Sequence, residues 1–272
     1  MRLGRSRRSD NVVDARRGGG VGRGAAIGCG PLLVVGLLAL LFGADPSDVM
    51  RLLGETQTSQ PSQAGPPVDD EASEFVRRVL GETEDVWEDV YPDATGRAYQ
   101  EPRLVLFSGA YPTACGTGTS ATGPFYCPLD QTVYMDLSFF NQLARLGGRG
   151  DFAAAYVIGH EVGHHIQNLT GVLGQTQRYR GNADVSVATE LQADCYAGVW
   201  AHHAERERDI LETNEIQEGI EAAAAVGDDN IRGGAVRPDD LSHGTSRMRV
   251  EWFVRGFESG DMRSCDTFAG LG

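Results

Sequence analysis

The stretch "YVIGHEVGHHIQ", Tyr156–Gln167, holds three of the chain's six histidines, His160, His164 and His165, around a single glutamate. Alanines, Val157, Ile158 and Ile166 without a proline predict a helix over 152–169. Residues four apart on a helix share a face, so His160 and His164 can both point at one ion about 2.0–2.1 Å away. Glu161 sits about 100° further round, close to that ion yet not aimed at it, which suits a base for an attacking water. His165 faces away from the ion by the same geometry. The bland alternative is a solvated helix face carrying two unlinked histidines.

A catalytic zinc takes three protein ligands and keeps one position open, so a third ligand decides between these readings. A second helix, predicted from about Ser186 to Arg208, carries "TELQADCYAGVWAHH". Glu190 and Asp194 are four apart on it, among small and apolar neighbours such as Val187, Ala197 and Ala201. Buried carboxylates are costly without partners. Glu190 as the third ligand, with Asp194 accepting the free N–H of a zinc-bound histidine, gives both a partner. Two solvent-facing acids are the alternative. His202 and His203 lie three turns past Glu190, too far to ligate.

Charge is unevenly placed along the 272 residues. The formal net charge is −14, but residues 1–25 hold seven arginines against two aspartates, leaving about −19 on the rest. An acidic body of this kind makes nucleic acid a poor partner. Residues 25–44, "AAIGCGPLLVVGLLALLFGA", are uncharged and long enough to cross a bilayer. With arginines before and aspartates after, they predict a single-pass protein of the bacterial inner membrane: an arginine-rich cytoplasmic segment over 1–24, a transmembrane helix over 25–44, and an extracytoplasmic body. A cleaved signal peptide and a buried core helix are the competing readings. Residues 45–74, rich in Gln, Ser and Pro, read as a linker, and 75–272 as the folded domain.

Within that domain, 74–91 reads as a helix ended by Pro92, "RLVLFSG" (103–109) as a buried strand, and Thr132–Leu137 as a strand leading into a helix at Ser138. Residues 170–186 read as a loop or short lid. The tail over 209–272 begins helical and ends in an amphipathic helix near 245–259. Helices dominate, so the fold class is α+β, mostly helical with a small sheet, preceded by one transmembrane helix. Cys115, Cys127, Cys195 and Cys265 allow three pairings. We favour Cys115–Cys127, closing a glycine-rich loop, and Cys195–Cys265, tying the tail to the second helix; four reduced thiols are the alternative.

Five segments together resemble the bacterial family of putative neutral zinc metallopeptidases: "RRSDNVVDARRG", "GPFYCPLDQTVYMDLSFF", "YVIGHEVGHHIQ", "ELQADCYAGVWA" and "LSHGTSRMRVEWFVRGFESGDMRSCDTF". The resemblance implies a zincin-like fold, a Zn2+ cofactor held by His160, His164 and Glu190, and Glu161 as general base. It also implies a downstream histidine, His243, as donor to the oxyanion, with Tyr179 a weaker candidate; a capping or core histidine is the plain alternative for His243. The expected activity is a zinc endopeptidase acting on a peptide or protein substrate, with the strand Thr132–Leu137 either the edge that binds it by strand addition or, equally, a plain core strand. A zinc-binding scaffold without turnover, or a hydrolase of non-peptide amides, are the rival functions.

Overall fold

A computed structural model describes residues 1–16, 70–179, 181–212, 214–269 and 271. Strand β2 (Arg103–Phe107) is a run of apolar residues because both its faces are covered. Leu104 and Leu106 join the main core under the helices, while Val105 and Phe107 pack with Cys127 and Tyr134 on the opposite face. The sheet order is β1 (Val12–Asp14), β2, β6 (Thr132–Asp136), β5 (Phe125–Cys127). The first three strands are parallel and β5 is antiparallel to β6. Between β2 and β5 a hairpin forms, β3 (Ala110–Thr113) with β4 (Gly116–Thr119). The Cys115–Cys127 disulfide ties that hairpin to β5.

Helix α1 (Glu71–Thr95) starts at an Asp70–Ser73 capping box and runs through Pro92. The expectation that Pro92 ends it is corrected. The ring removes one backbone bond where Glu88 and Asp89 are exposed, and Gly96, in the left-handed region, closes the helix on the Pro92 carbonyl. Four further elements follow β6: α2 (Ser138–Leu146), α3 (Asp151–Thr170), a short α4 (Val172–Thr176) and α5 (Ala183–Arg206). Then come α6 (Glu215–Ala225), α7 (Asp228–Ile231) and α8 (Ser246–Ser259). The segment 170–186 is thus largely helical, and the tail's first helix begins at Glu215, not at 209.

Helices α3, α5 and α8 form the scaffold of the site, and glycine sets their spacing. A Cβ on Gly163 would lie 2.7 Å from the Ala193 carbonyl oxygen, so the glycine lets α5 approach the histidine helix. A Cβ on Gly256 would lie 1.9 Å from the Cys195 carbonyl oxygen, which lets α8 lie along α5. The Cys195–Cys265 disulfide then fixes the tail to α5.

The membrane reading is corrected. Residues 25–44, Cys29 among them, lie outside the described residues, as does most of the segment read as a linker. Among the described residues no helix is long and apolar enough to cross a membrane. Residues 1–16, expected on the cytoplasmic side, are instead built into the same compact unit as the body. Their strand β1 pairs with β2, Arg7 reaches Glu84 and Asp85, and Arg16 reaches Asp70. A single crossing between them would separate these partners, so the single-pass inner-membrane placement, and the transmembrane helix in the fold class, are withdrawn. The strand Thr132–Leu137 is also central and buried at every position from 132 to 136, so it offers no edge to a substrate. The edge next to it is β5.

Candidate metal centre

Helix α3 points His160 and His164 to the same side, with ring centroids 4.7 Å apart. Across from them α5 brings in Glu190. His160 Nε2 lies 3.3 Å from Glu190 Oε2, and His164 Nε2 lies 3.5 Å from Glu190 Oε1. The three donor atoms all fall within 4.8 Å of one another, as one small cation requires. They open onto a cavity of about 710 Å³ that is also lined by Glu161, Tyr179, His243 and Arg249.

The remaining ring nitrogens are engaged elsewhere. His160 Nδ1 lies 2.8 Å from Asp194 Oδ1, and His164 Nδ1 lies 2.8 Å from Gln167 Oε1. Both acceptors lead each histidine to donate from Nδ1, which leaves both Nε2 lone pairs turned toward Glu190. With the histidines neutral, two Nε2 lone pairs and a carboxylate converge where either a proton or a cation can sit between them. The donor set therefore fits a metal ion, and two imidazoles with one carboxylate suit zinc. Glu161 adds a second sign. It is buried, yet its Oε2 has no hydrogen-bond partner among the described residues.

Electrostatics agree with the geometry. Burial alone would pull the His160 pKa down, but the Asp194 carboxylate outweighs it and pushes the imidazole up to about 9. Burial likewise opposes ionisation of Glu190, but His164 and His160 hold it below the usual carboxylate range. Burial raises Glu161, with the two imidazoles pulling against it. The protein's own field therefore favours positive charge between the two histidines and Glu190.

Asp194 is fully buried and collects four contacts: His160, the Tyr156 hydroxyl at 2.5 Å, Arg249 Nε at 2.8 Å and Arg249 Nη2 at 2.9 Å. Arg249, on α8, was not singled out in the sequence. It occupies the same face as Phe253 and Gly256, which are buried with it. A charged residue in register with that apolar stripe was the available signal. Gln167 was missed too, although it shares the face of His164 at i+3.

The other expected residues fall as follows. His243 lines the cavity with its side chain half exposed, and its Nδ1 lies 3.1 Å from Asp228 Oδ1 and 2.9 Å from Ser242 Oγ. Asp228 is itself buried and accepts backbone N–H bonds from Ser242, His243 and Gly244, which hold its carboxyl below the ordinary range against burial. Tyr179 stands exposed at the cavity's rim. His165 points away from the centre, as its register requires. Burial drives its pKa down to about 4, and it bonds the Tyr126 hydroxyl and the Gln100 carbonyl. His202 and His203 bond the Phe257 and Gly260 carbonyls, far from the cavity.

Comparison with known proteins bears on this geometry. The chain is 43% identical over 291 residues to the "Uncharacterized protein YpfJ" of Escherichia coli (strain K12), covering 98% of this chain and 99% of that one. It is 41% identical over 257 residues to the "Uncharacterized protein Mb2605" of Mycobacterium bovis (strain ATCC BAA-935 / AF2122/97), and equally to the "Uncharacterized protein Rv2575" of Mycobacterium tuberculosis (strain ATCC 25618 / H37Rv), with 85% of each chain covered. No solved structure matches it. The family described as "Putative neutral zinc metallopeptidase" matches residues 1–268, and the chain belongs to that family.

Proposed function

We propose that the protein is a zinc-dependent endopeptidase in which His160, His164 and Glu190 hold the ion and Glu161 is the general base. One observation carries the reading: three converging donor atoms open onto a cavity beside a buried carboxylate oxygen without a hydrogen-bond partner among the described residues. Held by His160, His164 and Glu190, zinc would supply Lewis acidity, acidifying a water and polarising a carbonyl.

The chain's own residues supply the rest. Glu161, raised in pKa by burial, takes a proton from the attacking water and returns it to the leaving amine. Asp194, clamped by Arg249, orients His160, and Gln167 orients His164. His243 is the donor to the developing oxyanion. Asp228 engages its Nδ1, which leaves Nε2 for the substrate. The edge strand β5, whose Phe125 and Tyr126 line the cavity, offers backbone groups to an extended peptide.

The test is metal content of the purified full-length protein, followed by peptide hydrolysis. About one zinc per wild-type chain, sharply reduced in Glu190→Ala, establishes the centre. Loss of hydrolysis in Glu161→Gln with zinc retained establishes the base. A wild type that holds no zinc defeats the reading, and a Glu161→Gln variant as active as wild type removes the proposed mechanism.

A further inference from the structure

His164 is held by a neutral amide, and that amide belongs to a directional relay. Gln167 Oε1 lies 2.8 Å from His164 Nδ1, and its Nε2 donates to the Thr189 carbonyl at 2.7 Å and to Gln192 Oε1 at 3.1 Å. Gln192 Nε2 donates in turn to the Cys265 carbonyl at 2.8 Å. Both glutamines are buried, and the relay ends at a residue that is disulfide-bonded to Cys195.

The polarity of the relay follows from the two backbone carbonyls it meets, those of Thr189 and Cys265. A backbone carbonyl only accepts, so Gln192 must present its NH2 to Cys265 and its oxygen to Gln167. Gln167 must then present its NH2 to Gln192 and to Thr189, and its oxygen to His164. An oxygen facing Nδ1 requires the proton there, so the Nε2 lone pair is turned to the site. The relay thus has one consistent orientation, set at one end by the Thr189 carbonyl of α5 and at the other by the Cys265 carbonyl, which the Cys195–Cys265 disulfide anchors to α5.

We propose that Gln167 and Gln192 are positioning residues that lock the tautomer of His164, and that the Cys195–Cys265 disulfide anchors the lock, so that metal affinity depends on the disulfide being formed. The metal part of this proposal rests on the zinc reading above. The tautomer part does not, because it concerns the protein's own hydrogen bonds.

The test uses the full-length chain in three forms: wild type, Gln192→Met, and the double variant Cys195→Ala/Cys265→Ala. Gln192→Met keeps the disulfide and touches neither the ion nor its ligands, so it isolates the relay should the double variant be poorly folded. Two quantities are read: zinc affinity by competition with a chromophoric chelator, and the His164 tautomer in zinc-stripped protein by long-range proton–nitrogen correlation NMR. Wild type should show His164 protonated at Nδ1. Gln192→Met leaves the Gln167 amide held by the Thr189 carbonyl alone, and should show a partly mixed tautomer and a zinc affinity lower by up to about 10-fold, the low end for loss of a group that orients a ligand. The double variant should fall at least as far. An unchanged tautomer and unchanged affinity in Gln192→Met overturn the proposal. A wild type that binds no zinc but shows the fixed tautomer defeats the metal reading while leaving the lock in place.

Discussion

Glu84 and Glu161 are both buried glutamates in long helices, and burial raises the pKa of each. Their surroundings differ. Glu84, on α1, accepts from the Ser9 hydroxyl at 2.7 Å and the Asn11 amide at 2.8 Å, and its second oxygen lies 2.8 Å from Arg7 Nη2. The N-terminal segment meets that carboxylate and its neighbour Asp85 as well as pairing with β2. Glu161 receives the same burial, and its Oε2 meets no hydrogen-bond donor among the described residues. A buried carboxylate met by a hydroxyl, an amide and a guanidinium is a structural anchor, whereas one kept dry beside two histidines at a cavity is held ready for chemistry.

Exchanging each carboxylate puts the contrast to its severest test. Glu161→Gln should lower peptide hydrolysis by about 10²–10⁴-fold, the usual contribution of a general base, while thermal melting shows a Tm at or above that of wild type. A fall in Tm would mean that Glu161, too, is structural. Glu84→Ala should do the reverse. It leaves the Ser9 hydroxyl without its carboxylate acceptor and takes one of several acceptors from Asn11 and Arg7, which keep Glu101 and, for Arg7, Asp85. It should cost about 2–4 kcal/mol in denaturant unfolding, with hydrolysis per folded molecule unchanged. A loss of turnover without loss of stability would erase the distinction.

A smaller effect tests what places Glu190 opposite the histidines. Gly163→Ala puts a Cβ against the Ala193 carbonyl and should cost about 1–3 kcal/mol by equilibrium unfolding. Because the strain separates α3 from α5, zinc affinity should fall with it. An affinity that does not change would show that the helix spacing leaves the ligands undisturbed.

The mildest prediction concerns how the N-terminal segment is fastened. Hydrogen bonds from Arg16 first, then from the Ser73 backbone, hold the Asp70 carboxyl down at about 2, from an ordinary 3.8. A pKa lowered on folding means stability that is present above about pH 3.8 and lost as pH falls toward 2. Acid titrations followed by circular dichroism should therefore show a shallower loss over that window in Arg16→Gln than in wild type. The difference should be small, since Asp70 is well exposed to solvent. Identical acid limbs would remove Arg16 from the account.

Much of the centre was legible in the residues because it depends on helical spacing. His160 with His164, and Glu190 with Asp194, are each i, i+4 pairs, and a helix turns any such pair to one side whatever surrounds it. The cysteine pairs were legible for a related reason, since each closes a segment that the chain already sets apart. The N-terminal segment was misread because seven arginines before an apolar run imitate a topological signal. Nothing local to Val12–Asp14 shows that β2, some ninety residues later, leaves an edge for it. Pro92 was misread because its cost depends on whether the lost bond faces water.

The sequence by itself determined the two helices that carry His160, His164 and Glu190, the faces those residues share and the kind of ion such donors suit, because short-range geometry and side-chain identity suffice for that. Only the tertiary structure decided which groups complete them. Arg249 meets Asp194 across 55 residues, Gln192 meets the Cys265 carbonyl across 73, and Ser9 meets Glu84 across 75. Each of these partners was chosen by the packing of separate elements, because a buried charge or amide takes whichever donor or acceptor the fold brings within reach.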